Sequence, residues 1–168
     1  SRRSLGADHP DVGARATSLA YWLIEAGQYE EAAPLVEEGL AVRRKALDHL
    51  FECVSIMDAT GSRDLKLWFA DGTNYPGQDS VRARQDRLSS ALAAAYERLS
   101  DSQRLLLEYK LFEPAFYMTD VPDWGTSFAH VSVLGERAMV CLDTGHHAPG
   151  TNIEFIVAQL LRLGKLGS

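Results

Sequence analysis

Three short apolar runs that alternate with helical segments constrain the fold of this chain more than any other feature. The runs cover residues 64–69, 104–110 and 138–143. Helical patterns follow them over about 80–99, 125–134 and 152–163. Strands and helices in regular alternation predict a parallel sheet of the α/β class. In such sheets, functional residues gather in the loops that follow the carboxyl ends of the strands.

Each apolar run ends in polar or aromatic side chains at that carboxyl end. The pairs are Trp68 with Asp71, Glu108 with Lys110, and Asp143 with His146. Since the carboxyl ends of parallel strands lie at one edge of the sheet, these side chains are expected to share a site. The pattern recurs three times, which supports a functional site more strongly than one match would.

Glu108 and Lys110 lie two residues apart, so a strand points both to the same face. They form either a plain ion pair or a metal ligand beside an electrophilic lysine. Asp143 and His146 form a D-x-x-H sequence, whose oxygen and nitrogen atoms suit Mn, Co, Zn or Mg-like ions. Alternatively, Asp143 caps a helix and His146 or His147 is simply exposed. Trp68 either walls a ligand site by stacking on a sugar ring or belongs to the core.

Residues 1 to about 46 have a purely helical pattern. Ala16, Leu19, Ala20 and Leu23 form an apolar stripe at spacings of three and four. Gly27 ends this helix, and a second helix begins at about Glu30. The sequence therefore predicts an α-helical hairpin before the α/β region.

Charge and apolar runs limit the classes of partner. The net charge of −6 argues against nucleic acid and against anionic membrane surfaces. No apolar run approaches the roughly 20 residues that span a bilayer, and no signal-peptide pattern is present. Cys53 and Cys141 lie far apart in apolar surroundings, so we expect free thiols and a cytoplasmic location. Ser1 in place of an initiating Met indicates a cut or processed start.

Three longer strings, at residues 67–79, 108–126 and 140–154, resemble the L-rhamnose isomerase family. The resemblance covers about residues 42–168. It implies a xylose-isomerase-like (β/α)8 TIM barrel, of which about three strand–helix units are present. It also implies a metal-dependent aldose–ketose isomerase that moves hydrogen between C1 and C2 of a small-molecule sugar.

The resemblance implies a role for five residues. Glu108 and Asp143 match ligands of a structural metal, Asp143 also bridges toward a catalytic metal, and His146 matches a ligand of that second metal. Lys110 matches the lysine beside the sugar oxygens, and Trp68 matches a wall of the substrate site. Lys110 and His146 are therefore the predicted catalytic residues. Mn²⁺ is the first choice of metal, with Co²⁺, Mg²⁺ or Zn²⁺ as alternatives.

The family supplies further ligands, a histidine and several aspartates, at positions that would follow Ser168. Two ligands cannot hold a structural ion that prefers four or more. We therefore expect the chain to be a fragment that is inactive by itself, and its longer parent could form a homo-oligomer.

The first 46 residues resemble a different family. The strings at residues 5–12, 27–32 and 41–47 are similar to a single tetratricopeptide repeat of the kinesin-light-chain type. One repeat cannot bury its own apolar face and normally needs neighbours. The predicted domains are thus a tetratricopeptide-like hairpin over 1–46 and a partial sugar isomerase barrel over 47–168. An alternative function is a protein-interaction module fused to a non-catalytic barrel remnant.

Overall fold

A computed structural model describes residues 10–70, 72–73, 80–112 and 118–168 of the chain. The chain forms two compact units, Ser1–Glu52 and Cys53–Ser168. The helices are α1 (Pro10–Glu25), α2 (Tyr29–Thr60), α3 (Val81–Glu97), α4 (Trp124–Leu134) and α5 (Ile153–Arg162). The strands are β1 (Asp64–Trp68), β2 (Gly72–Thr73), β3 (Arg104–Glu108), β4 (Met118–Thr119) and β5 (Ala138–Cys141).

The first unit contains the predicted helical hairpin. Gly27 has a φ of 76°, which favours glycine and allows the tight turn between α1 and α2. Across the hairpin, Arg43 Nη2 donates a hydrogen bond to Thr17 Oγ1 at 3.2 Å. The predicted domain boundary after residue 46 falls inside α2, whose residues up to Glu52 belong to this unit. The boundary and the tetratricopeptide resemblance stay predictions.

The second unit is built on a parallel sheet of three strands in the order β1–β3–β5. Helix α3 connects β1 to β3 in the chain, α4 connects β3 to β5, and α5 follows β5. The predicted α/β class is confirmed, and the arrangement is that of part of an α/β barrel. All three parallel strands end before the predicted limits, at Trp68, Glu108 and Cys141.

Polar side chains mark where the helices of this unit begin. Ser80, Asp123 and Asn152 each accept a hydrogen bond from the backbone N–H three residues later. Such caps satisfy a donor that has no partner within the helix. The caps therefore fix the residue at which each of these helices begins.

The two faces of the parallel sheet differ in chemistry. One face carries the buried side chains Leu65, Leu67, Leu105, Leu107, Ala138 and Val140. Helix α4 packs on this face, and Ser127 Oγ donates to the carbonyl oxygen of Leu107 at 2.8 Å. The other face carries Lys66 and Trp68 on β1 and Glu108 on β3, because alternate residues of a strand point to opposite sides.

Strands β2 and β4 form a small antiparallel pair that the sequence did not predict. A Cβ atom at Gly72 would clash with the carbonyl oxygen of Met118, so the pairing requires glycine at this position. The hydroxyl of Thr119 donates to the carbonyl of Lys110, which ties β4 to the segment just after β3.

Residues 165–168 pair in parallel with the outer edge of β5. Val140 N donates to Lys165 O at 2.8 Å, and Gly167 N donates to Val140 O at 2.9 Å. A Cβ atom at Gly167 would overlap the side chains of Leu106 and Met139, so a glycine allows this close approach. The segment therefore covers part of the sheet face that also carries Glu108.

Among the residues that the structure describes, no helix has both the length and the apolar character of a membrane span. Both cysteines are free thiols, as predicted. Cys141 is buried, whereas Cys53 is only half-buried.

Candidate metal centre

Glu108 is the last residue of β3 and one of the few buried charged side chains among the described residues. Its side chain is only 4 % exposed. The strand register places it between Trp68 of β1 and Cys141 of β5. A carboxylate in this position loses most of its hydration, so it needs charged or hydrogen-bonding partners.

The turn after β5 brings two further polar side chains to Glu108. Asp143 Oδ1 accepts a hydrogen bond from Gly145 N at 2.7 Å, and Asp143 O accepts from His146 N at 3.1 Å. Asp143 therefore stabilises a tight turn instead of capping α5, whose cap is Asn152. The turn directs the imidazole of His146 back toward the sheet.

His146 lies between the two carboxylates. Its Nδ1 is 3.0 Å from Glu108 Oε1 and 3.2 Å from the carbonyl oxygen of Tyr109. Since both of these oxygens accept hydrogen bonds, Nδ1 carries the hydrogen. The other ring nitrogen, Nε2, lies 3.6 Å from Asp143 Oδ2. A proton or a cation between these two atoms would make their contact favourable.

The three side chains offer a donor set that fits a divalent cation. One ligand atom from each of Glu108, Asp143 and His146 lies within 4.8 Å of the others. Carboxylate oxygen and imidazole nitrogen suit Mn²⁺, Co²⁺ or Zn²⁺, with bonds of about 2.0–2.3 Å. Two atoms bound to one ion are then at most about 4.6 Å apart, so Glu108 with Asp143, and Asp143 with His146 Nε2, have roughly the spacing of pairs that share an ion. A histidine that binds a metal through one ring nitrogen usually donates a hydrogen bond through the other, as His146 does through Nδ1.

The ammonium that contacts Glu108 belongs to Lys66, which the sequence analysis missed. Lys66 Nζ lies 2.7 Å from Glu108 Oε2. This hydrogen bond raises the pKa of Lys66 above its ordinary value. The residue could have been found from β1 alone, because Lys66 lies two positions before Trp68 and therefore shares its face.

Trp68 and Lys110 lie together at the border of the centre. Lys110 Nζ is 5.3 Å from the centroid of the Trp68 ring, within the range of a cation–π contact. The Trp68 and His146 rings are 6.3 Å apart. Trp68 is 44 % exposed, so the alternative that it belongs to the core is wrong. Asp71, which the sequence pairs with Trp68 after the first apolar run, lies outside the described residues.

Tyr109 and His147 form a second contact between β3 and the turn after β5. The Tyr109 hydroxyl lies 2.6 Å from His147 Nε2, and the Tyr109 side chain is buried. Burial raises the pKa of Tyr109, so the hydroxyl stays protonated and able to donate. Neither residue was singled out in the sequence. The contact anchors the turn that carries Asp143 and His146.

Comparison with known proteins finds relatives that share one description. No protein-family model matches the sequence. A probable sugar isomerase of Rhizobium meliloti is 46% identical over 127 residues, which are 76% of this chain and 30% of the relative. This chain is thus similar over most of its length to a protein named a probable sugar isomerase. A probable sugar isomerase of Mesorhizobium japonicum is 44% identical over 125 residues, 74% of this chain and 29% of that relative.

The chain spans about 30% of the length of these sugar isomerases. The five residues to which the resemblance assigns a role lie together at the carboxyl edge of the parallel sheet. Glu108, Asp143 and His146 form the group of possible ligands, and Trp68 and Lys110 lie beside it. Their roles as ligands, catalytic groups and substrate contacts stay predictions.

Proposed function

We propose that this chain carries part of the active site of a metal-dependent aldose–ketose isomerase of the L-rhamnose isomerase type. The observation that carries the proposal is the group of Glu108, Asp143 and His146 at the carboxyl edge of a parallel sheet. The kinship with proteins named probable sugar isomerases supports the reaction class. Mn²⁺ is the proposed metal, as the family resemblance implies, and the oxygen and nitrogen donors also admit Co²⁺, Mg²⁺ or Zn²⁺.

The three ligand side chains differ in how firmly they are held. Glu108 is fixed by burial and by partners on both carboxylate oxygens. Asp143 uses Oδ1 to stabilise its own turn, which leaves Oδ2 facing His146. Because Nδ1 is engaged by Glu108 and by the carbonyl of Tyr109, His146 presents Nε2 to an ion on the side of Asp143. Glu108 and Asp143 would then hold the other of the two ions that the family resemblance implies. When bound, the cation would supply stabilisation of negative charge on the sugar oxygens as hydrogen moves between C1 and C2.

Lys110 and Trp68 are proposed to hold the sugar. An ammonium has three hydrogens to donate, and sugar hydroxyl and carbonyl oxygens accept them. The exposed Trp68 ring offers an apolar face on which the C–H side of a sugar can pack. Their mutual contact keeps the Lys110 ammonium close to the ring. The two residues would thus orient a sugar beside the ion without taking part in binding the ion.

Titration of Mn²⁺ into the purified, metal-free chain by calorimetry tests the proposal. The informative variant is Asp143→Asn, which keeps an oxygen for the Gly145 hydrogen bond and removes the charge. Asp101→Asn is the matched control, because Asp101 is exposed in the turn that precedes β3, at the opposite end of that strand. Because this chain supplies only part of each ligand set, we expect weak but measurable binding by the wild type and the control, and at least about tenfold weaker binding by Asp143→Asn.

Two results would count against the proposal. If the wild type does not bind Mn²⁺, the three side chains do not form a metal centre in this chain. If Asp143→Asn binds as tightly as the control, the ion binds elsewhere and the assignment of Asp143 fails.

A further inference from the structure

We infer that Lys66 is a positioning residue of the metal centre, which holds the Glu108 carboxylate in place and yields it to an incoming cation. The inference rests on the proposed metal function and deepens it. None of the roles predicted from the sequence includes Lys66. Its contact with Glu108 is the shortest ion pair to that carboxylate, with 2.7 Å between Nζ and Oε2.

The sheet register explains why Lys66 reaches Glu108. Trp68 of β1 is paired with Glu108, and Lys66 is paired with Leu106. Lys66 therefore lies one step nearer the amino end on the same face. A lysine side chain is long enough to extend along the sheet surface, so its ammonium reaches the carboxylate from the amino-terminal side of β1. The contact is built into the strand pairing and does not depend on a loop.

The two partners differ strongly in exposure. The side chain of Glu108 is 4% exposed, whereas that of Lys66 is 53% exposed. Without Lys66, the nearest described partner of Oε2 would be the Cys141 thiol at 4.0 Å, which is a weak donor. A buried carboxylate oxygen without a good partner is costly, so Glu108 would turn or rebuild its contacts. Lys66 thus holds the carboxylate in its present orientation.

The exposure of Lys66 also allows its side chain to move away from Glu108. Its ammonium can turn into water at little cost, because half of the side chain is already solvated. A divalent cation that approaches Glu108 meets a like charge first, and like charges repel strongly when the site has a low dielectric. Lys66 must therefore move as the ion enters. Its positive charge lowers the affinity for the ion and balances the charge of Glu108 when no ion is bound.

A plain structural ion pair would behave differently. Removal of Lys66 would then lower stability without changing the affinity for a cation. The variants Lys66→Gln and Lys66→Arg separate the two cases, because Gln keeps a donor for Glu108 without the charge and Arg keeps both. Arg63→Gln is the matched control, since it removes one positive charge at the opposite end of β1.

Calorimetric titration with Mn²⁺ is the first measurement. We expect Lys66→Gln to bind about tenfold more tightly than the wild type, and Lys66→Arg and Arg63→Gln to stay within about twofold of it. Equal or weaker binding by Lys66→Gln, with normal binding by the wild type, would overturn the role of Lys66 and leave the proposed metal function intact.

Thermal unfolding in EDTA tests the positioning role without any metal. We expect Lys66→Met to lower the melting temperature by about 3 °C or more, and to have little effect in a chain that already carries Glu108→Gln. The same shift in both backgrounds would overturn the positioning role. Failure of the wild type and of every variant to bind Mn²⁺ would overturn the proposed function. The dependence of the Lys66→Met effect on Glu108 would then decide by itself whether Lys66 holds the carboxylate in place.

Discussion

The two faces of the three-stranded sheet carry different kinds of side chain. On the helix-covered face, leucine, alanine and valine side chains are almost fully buried and carry no charge. On the other face, Lys66, Glu108 and Trp68 place two charges and a half-exposed aromatic ring within a few ångströms of one another. Both faces are made by the same strands, so the alternation of residues along each strand confines the charges to one face, which also carries the buried side chain of Leu106.

This difference indicates which face of the sheet stabilises the unit and which face carries its candidate site. Burial of apolar side chains is the main favourable contribution to folding, and the helix-covered face supplies it. A buried carboxylate adds little net stability, because its lost hydration offsets the gain from its partners. Glu108 is therefore better explained by a function than by a contribution to the fold. Three variants can break or sharpen this contrast.

The largest effect is expected from the apolar face. Leu107→Ala removes a fully buried side chain and leaves a cavity between β3 and α4. The free energy of unfolding should fall by about 2–5 kcal/mol, measured by urea unfolding with the same slope. Val133→Ala, at a position of α4 that is 81% exposed, should change the free energy of unfolding by no more than about 0.5 kcal/mol. A loss below about 1 kcal/mol for Leu107→Ala would show that this face is not the core.

A smaller effect is expected from the ion pair at the amino end of the sheet. Arg104 Nε and Asp64 Oδ1 are 2.7 Å apart, with both side chains more than one-third exposed. The hydrogen bond from Arg104 lowers the pKa of Asp64 below its ordinary value of 3.8. The pair therefore stabilises the fold at neutral pH, and this contribution disappears as the pH falls through the lowered pKa.

Asp64→Asn should reduce the free energy of unfolding at pH 7 by about 0–1 kcal/mol, because water screens an exposed pair. The reduction should shrink in about 1 M salt, where the screening length is short. Urea unfolding at low and high salt measures both values. A loss that exceeds that of Leu107→Ala, or one that salt leaves unchanged, would contradict the contrast between an exposed pair and the buried core.

The smallest effect is expected from His130, which lies on α4 near the edge of the core. Its Nε2 is 2.8 Å from Gln85 Oε1, and its Nδ1 is 3.2 Å from Ser89 Oγ. Burial lowers the pKa of His130 below its ordinary value of 6.5, so the folded chain prefers the neutral ring. The unfolded chain then takes up the proton first, and stability falls as the pH decreases below about 6.5.

His130→Gln should make the free energy of unfolding decline less steeply between about pH 7.5 and pH 5.5. The comparison with the wild type isolates His130, because the other histidines titrate in both proteins. Parallel pH profiles would show that burial does not disfavour the charged ring. A steeper profile for the variant would show that the folded state favours the charged ring instead.

The order of strands and helices could be predicted because each leaves a local pattern. Apolar runs and capping residues such as Ser80 and Asn152 lie within a few positions of the elements that they define. Strand ends were predicted too far along the chain, since the polar residues after Glu108 still alternate as a strand would. Strands β2 and β4 have two residues each, which is too short for any periodic pattern.

The candidate site was predictable where its residues lie close together in the sequence. Asp143 and His146 belong to one turn, and the D-x-x-H spacing identifies them. The alternation of β1 alone places Lys66 on the face of Trp68, but its contact with Glu108 depends on how β1 and β3 are paired, which no local pattern records. Lys110 was preferred as the partner of Glu108 because it is the nearer lysine in the sequence.

The row formed by Trp68, Glu108 and Cys141 has a consequence for how such a chain can vary. Each residue of the row comes from a different strand, and backbone pairing between neighbouring strands fixes their spacing. A residue inserted within the paired stretch of β3 would move Glu108 to the opposite face of the sheet and break the row. The turn that leads into β3 is tied down as well, since Gln103 is buried and Arg137 Nη1 donates to the carbonyl oxygens of Ser100 and Gln103. The row therefore persists only in chains that keep the length of the paired strands.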